Sequence, residues 1–273
     1  VAALTTARAA LGLLPRRRPA TLPAREPAVL AVTVDREHLA RYDRVCGFRL
    51  ADTLPATYPH VLAFPLALRL MSAPDFPFPV VGLVHVANRI TVRRPIDAGA
   101  PLEISVRAAD LRPHHRGRQF DIVTTAVVDG EEAWRGVSTY LRREGTAERR
   151  EQGERPAGPA PSARWTVPAR VGGDYAAASG DHNPIHTSRL GARLFGFPRP
   201  IAHGMWSKAR CLAALEGRLP AAYTVDVAFK APILLPATVA FAVMPDGEGR
   251  RFDLRSAGTD RIHLTGHLAG QPT

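Results

Sequence analysis

The sequence predicts an α+β chain of two like halves, each with one apolar helix followed by a run of antiparallel strands. Three observations carry this. First, motifs recur in the same order: Tyr42-Asp-Arg-Val-Cys-Gly47 has the spacing of Tyr175-Ala-Ala-Ala-Ser-Gly180. Second, Pro59 to Met71 and Pro200 to Leu212 each read as a proline turn entering an apolar stretch of helical length, and Pro95-Ile96 and Pro232-Ile233 fall in like places further on. Third, 273 residues is long for one small domain and suits two of about 100–150 residues.

The strands rest on alternation of apolar and polar residues. In the first half they are Leu83 to Val92, Leu102 to Ala108, Phe120 to Val128 and Ala133 to Leu141, with Asp129-Gly130 as a hairpin turn. In the second they are Thr224 to Lys230, Thr238 to Met244, Arg251 to Leu254 and Arg261 to Leu268. The predicted second-half helix begins near His203, turns Met205, Ala209, Leu212 and Ala213 to the core, and stops at Gly217. Residues 144–164, rich in Arg, Glu, Pro, Gly and Ala and without periodicity, read as a linker between a half at 1–143 and a half at 165–273.

Composition excludes several classes. With 45% hydrophobic and 22% charged residues the chain has material for a packed core and is not disordered throughout. Val1 to Leu14 is apolar but lacks a preceding basic region and falls short of the roughly 20 residues a membrane span needs, so the expectation is a cytoplasmic, non-membrane protein. Two cysteines, Cys46 and Cys211, make no disulfide framework and no zinc motif, which fits a reducing compartment. The net charge of +11 comes from arginines scattered among acidic residues, with only Lys208 and Lys230 as lysines. That pattern matches a GC-rich coding bias and no nucleic-acid motif; an anionic partner, the phosphates of coenzyme A or an acidic acyl carrier, is the other source it allows.

The repeat breaks at one place. From Gly180 to Pro200 there are twenty positions, against twelve from Gly47 to Pro59, and the extra segment holds polar residues. It reads Ser179-Gly180-Asp181-His182-Asn183-Pro184-Ile185-His186, followed by Gly196-Phe-Pro-Arg-Pro-Ile-Ala-His-Gly-Met205. Gly180 and Pro184 mark irregular backbone, which can bring Asp181 and His186 onto one water as acceptor and donor. Asn183 can orient the pair or the water. Gly204 falls at a helix start, where unpaired N–H groups and the dipole favour a developing enolate oxygen and the missing side chain permits close approach. Taken alone, an Asp or a His in a loop is more often a cap or turn residue than a catalyst, His182 reads as a solvated loop residue, and His203 as readily as a brace as a participant. Asp181, His186 and His203 could also be drawn as a metal triad, but nothing reinforces it, and neither a metal nor a cofactor is assigned.

The whole string, Tyr175-x-x-x-Ser-Gly-Asp-x-Asn-Pro-Ile-His186 and then Gly-Phe-x-x-Pro-Ile-Ala-His-Gly-Met205, closely resembles the signature of the MaoC-like, or hydratase 2, family of hot-dog proteins. The resemblance implies a double hot-dog fold, each half a long central helix wrapped by an antiparallel sheet. It implies a hydro-lyase of fatty-acid metabolism, interconverting (2E)-enoyl and (3R)-3-hydroxyacyl thioesters of coenzyme A or acyl carrier protein. Carried over by residue, Asp181 and His186 are the acid/base pair, Asn183 their neighbour, and Gly204 the oxyanion donor; Ser179, Gly180, Ile201, Ala202 and His203 bind substrate. A homodimer of two-hot-dog chains is the expected assembly, with no nucleic-acid or membrane partner. The first half departs from the pattern, since Phe48 follows Gly47 and no Asp-x-Asn-Pro-x-His occurs, so one site per chain is expected. Val61, Leu62, Phe64, Leu66 and Leu70 of that half are then candidates for the wall of an acyl tunnel. The competing readings are a non-catalytic acyl-thioester binder, an acyl-thioesterase and, more distantly, a nucleic-acid binder.

Overall fold

The computed structural model describes residues 18–24, 27–144 and 159–271. The opening stretch Val1 to Leu14 and most of the predicted linker, 145–158, lie outside the described residues. The chain order is β1 (Ala28–Val32), α1 (Arg36–Cys46), α2 (Tyr58–Met71), β2 (Leu83–Val92), β3 (Leu102–His114), β4 (Gly117–Val128) and β5 (Glu131–Arg143) in the first half. The second half repeats it with β6 (Ala163–Val167), α3 (Val171–Ser179), α4 (Pro184–Thr187), α5 (Arg189–Leu194), α6 (Gly204–Ala214), β7 (Tyr223–Phe229), β8 (Ala237–Asp246), β9 (Gly249–Ser256) and β10 (Ile262–Gly270).

The strands form one ten-stranded sheet in the order β1-β3-β4-β5-β2-β7-β10-β9-β8-β6. Read from either edge inward, the order is the same in both halves, and every pairing is antiparallel. The halves join where β2 pairs with β7. The offset that lays Pro95-Ile96 on Pro232-Ile233 also lays Arg89 on Asp226, and these two face each other across the junction with Nε 2.6 Å from Oδ1. A pseudo-twofold axis therefore passes through that pair. Asp129 and Gly130 both take positive φ, 55° and 79°, as the tight β4–β5 hairpin requires.

The central helices α2 and α6 bury Val61, Ala63, Leu66 and Ala67 on one and Met205, Ala209 and Leu212 on the other; Ala213 is only half-buried. Each is preceded by a helix where the sequence predicts a loop. Asp35 caps α1 by accepting from the backbone of Glu37 and His38, and α1 and α3 end on Gly47 and Gly180 in the left-handed conformation. The matching residues Tyr42 and Tyr175 meet in the core at a ring separation of 6.1 Å. β1 and β6 were also unforeseen; β6 opens at Ala163, inside the predicted linker.

The register of the repeat differs from the one the prolines suggest. Leu54 N–H donates to Ile96 O and Ala98 N–H to Asp52 O, and in the second half Ala202 N–H donates to Ile233 O and Leu235 N–H to Pro200 O. Pro200 thus matches Asp52, not Pro59, and His203 and Gly204 match Pro55 and Ala56. Only five positions separate Gly47 from Asp52, so the segment that the first half lacks is fifteen residues rather than eight, and includes α4 and α5.

Candidate active site

The site is built where α3 ends. Gly180 turns the chain out of the helix, and the Asp181 N–H donates to Ser179 Oγ at 3.2 Å. The Asp181 carboxylate turns back on its own loop, Oδ1 accepting from the Asn183 N–H at 3.2 Å. Asn183 caps α4, its Oδ1 accepting from the Ile185 N–H at 3.2 Å. Its side chain is exposed, as is that of His182, so Asn183 orients Asp181 through its backbone rather than its amide.

One turn of α4 then carries His186 inward, where it is buried. Its Nδ1 lies 2.7 Å from Ile201 O, which can only accept, so Nδ1 carries the proton and Nε2 keeps its lone pair. Gly172 of α3 makes this placement possible: a Cβ there would stand 2.0 Å from His186 O. Sequence reasoning missed Gly172, whose only signal is a second glycine beside Gly173 in an otherwise helical run.

His203, the residue before α6, stacks on His186 with ring centroids 3.6 Å apart and donates from Nε2 to the Asp181 backbone carbonyl at 3.0 Å. It braces the loop. Burial pushes the His186 imidazole below its ordinary pKa, opposed by Asp181 and by the Ile201 carbonyl; burial and then His186 push His203 down to about 3. Both rings are uncharged at neutral pH.

One polar atom each of Asp181, His186 and His203 lies within 4.8 Å of the others. That spacing would suit a cation, but the nitrogen that His203 turns toward Asp181 Oδ2, 3.9 Å away, carries the proton it gives to Asp181 O. The carboxylate and the imidazole are close enough for one water to touch both.

The α6 start completes the site. Gly204 is its first residue, and no side chain caps its free N–H groups. Phe229 lies against it: a Cβ on Gly204 would stand 3.1 Å from the ring. Ile201 and Ala202 are buried and hold this turn to the chain beyond β7 through the Ile201–Leu234 bridge and the Ala202 bond to Ile233. From the first half, Phe64 of α2 closes on the loop, 3.9 Å from the place of a Gly180 Cβ.

A double hot-dog whose second half alone carries this loop and helix start defines a class, and comparison with known proteins agrees. Residues 163–266 match the MaoC like domain family. The chain is 40% identical over 269 residues to 3-hydroxyacyl-thioester dehydratase X of Mycobacterium tuberculosis, covering 96% of each. It belongs to the MaoC-like dehydratase family. The crystal structure of HtdX of Mycobacterium tuberculosis superposes with a TM-score of 0.80 at 37% identity, over 89% of this chain and all of that one. A MaoC-like dehydratase from Phytophthora capsici shares the fold, with a TM-score of 0.76 at 18% identity over 92% and 96% of the two chains. Among the described residues no helix is long and apolar enough to cross a membrane.

Proposed function

We propose that this chain reversibly hydrates (2E)-enoyl thioesters to (3R)-3-hydroxyacyl thioesters of coenzyme A or acyl carrier protein, with the chemistry confined to its second half. The observation that carries the reading is the convergence of Asp181 and His186, polar atoms within 4.8 Å of each other, beside the uncapped start of α6. The name of its 40% identical relative, a 3-hydroxyacyl-thioester dehydratase, supports it.

In hydration, a water held by the carboxylate and by His186 Nε2 attacks C3 of the enoyl group. Its O–H bond breaks as the C3–O bond forms, and the proton passes to the pair. The C2–C3 π electrons move onto the thioester oxygen, which the Gly204 N–H stabilises as an enolate. The pair then returns a proton to C2, so that the elements of water are added. Dehydration is the reverse. Uncharged His186 serves as the base through its Nε2 lone pair, and Asn183 and His203 keep Asp181 in place.

The test is to follow enoyl conjugation by absorbance while titrating free thiol, and to resolve the product on a chiral phase. The expected result is loss of absorbance without thiol release and a (3R) product. Thiol release would make the chain a thioesterase, a (3S) product would remove the stereochemical assignment, and tight binding without either change would make it a binder.

A further inference from the structure

The reaction makes no use of a column of rings in the first half. His60 on α2 occupies the place that Lys208 holds on α6 in the register fixed by the Asp52 and Pro200 bonds. Its ring lies 6.2 Å from that of His85 at an interplanar angle of 19°, and His85 stacks on Tyr140 at 4.7 Å and 18°. Tyr140 continues onto Phe120 at 5.8 Å and 20°. The sheet dictates this: Tyr140 of β5 is the register partner of both His85 on β2 and Phe120 on β4, so the three rings stand side by side on one face. Phe229, the ring against Gly204, flanks His85 at 5.0 Å. The column therefore runs from the interior of the first half to the oxyanion donor of the second.

These rings are enclosed by protein yet not sealed. Desolvation is the leading influence on His60, His85 and Tyr140, and the charge of Asp181 reaches both His60 and Tyr140. His60, Phe64, Tyr140 and Phe229 nevertheless keep part of their surface accessible, whereas Phe120, the next ring along, is fully buried. Their surroundings are polar where a plain alkyl channel would not be: His85 Nε2 is buried with no hydrogen-bond partner, beside the imidazole of His60. Of the five tunnel residues expected from sequence, Val61 and Leu66 are buried in the core, and Leu62, Phe64 and Leu70 are half-buried.

We propose that His60, His85 and Tyr140 form a polar subsite of the acyl channel, which takes an uncharged oxygen, a hydroxyl or a carbonyl, carried on the acyl chain beyond the reacting carbons. The proposal rests on the acyl-thioester reading above. Imidazole and phenol both donate and accept, which suits a hydroxyl. An anion is disfavoured, because burial pushes His60 down to about 4 and His85 to about 3 and keeps both uncharged. The carrier arm has to lead out to solvent, whereas these rings lie on the inner face of the sheet, so the acyl end is the better occupant.

The experiment compares two series of enoyl-CoA of about six to twelve carbons, one plain and one with a terminal hydroxyl, in the intact chain and in His60→Leu, His85→Phe and Tyr140→Phe. The expected result is that hydroxyl-terminated chains exceed plain ones in kcat/KM by about tenfold at one length. That ratio falls toward one in the variants, and because both substrates meet the same variant, a general loss of folding or chemistry cancels. Plain chains that are at least as good at every length, or a ratio untouched by all three substitutions, would overturn the subsite. If the substitutions instead alter only the response to replacing coenzyme A with N-acetylcysteamine, the rings serve the carrier arm and the proposal fails. Calorimetry with the matching saturated acyl-CoA series needs no turnover, so an oxygen preference in binding without hydration would remove the proposed reaction and keep the subsite.

Discussion

The two halves share one fold and differ by fifteen residues between a helix-ending glycine, Gly47 or Gly180, and the matched Asp52 or Pro200. In the second half those residues form α4 and α5 and bring Asp181 and His186 onto His203, the residue before Gly204. In the first, Pro55 and Ala56 replace His203 and Gly204, and Trp134 donates its indole N–H to Ala56 O at 2.7 Å. The comparison teaches that a hot-dog half supplies a helix start and a wall, and that a loop inserted ahead of the helix gathers Asp181 and His186 on His203 beside that start.

The largest effect that would sharpen the comparison concerns one position seen in both halves. Lys208 is fully buried on α6 and donates to Asn88 O at 3.0 Å, Asn88 Oδ1 at 2.6 Å and Val225 O at 3.1 Å, tying the helix to both strands of the junction. Lys208→Ala should destabilise the chain by about 3 kcal/mol or more in denaturant melts, because buried acceptors lose their partner. His60→Leu at the matching place should cost markedly less. Equal costs would show that the halves are more alike than their polar contacts indicate.

Next is the brace. His203→Phe keeps a ring stacked on His186 and tilted against Tyr175 but removes the donor to Asp181 O. A fall in kcat of about tenfold with KM little changed is expected, since one loop-orienting hydrogen bond is lost. An unchanged kcat would make His203 packing alone.

Stability should also depend on pH through the buried imidazoles. His203 and His85 are pushed down to about 3 and His60 to about 4, from an ordinary value of 6.5. Between about 4 and 6.5 the unfolded chain binds more protons than the folded one, so this contribution is complete above 6.5 and is lost as pH falls. Each such group changes stability by up to about 1.4 kcal/mol per pH unit. Melting temperatures that stay flat from pH 7 to 5 would contradict the burial of these rings. The smallest effect is Tyr42→Phe, which removes the 2.7 Å bond to Thr57 Oγ1 and should cost about 1 kcal/mol without altering turnover.

Much of this was legible in the sequence, and the failures have physical reasons. Alternation fixed all eight strands that were foreseen, with β2 matching Leu83 to Val92 to the residue. The candidate string was readable because Asp181, Asn183 and His186 are near neighbours placed by one local loop. The repeat register was not, because the prolines do different jobs: Pro59 opens α2, while Pro200 precedes the Ile201–Leu234 bridge. α3 escaped because two adjacent glycines disfavour a helix, although Gly172 is there for the close approach of His186 O. The ring column was invisible, since His60, His85, Tyr140 and Phe229 are distant in sequence and only the sheet register brings them together.

The central claim is that Asp181 and His186 of the second half perform the chemistry. It is tested most directly by the initial rate of hydration of a short enoyl thioester by purified Asp181→Asn and His186→Ala, with melting temperature as the check on folding. Both residues sit on the inserted loop, so each variant should keep a cooperative melt while its rate falls by about 10²–10⁴-fold. A folded variant of either kind that turns over within a few fold of the unsubstituted chain would contradict the account.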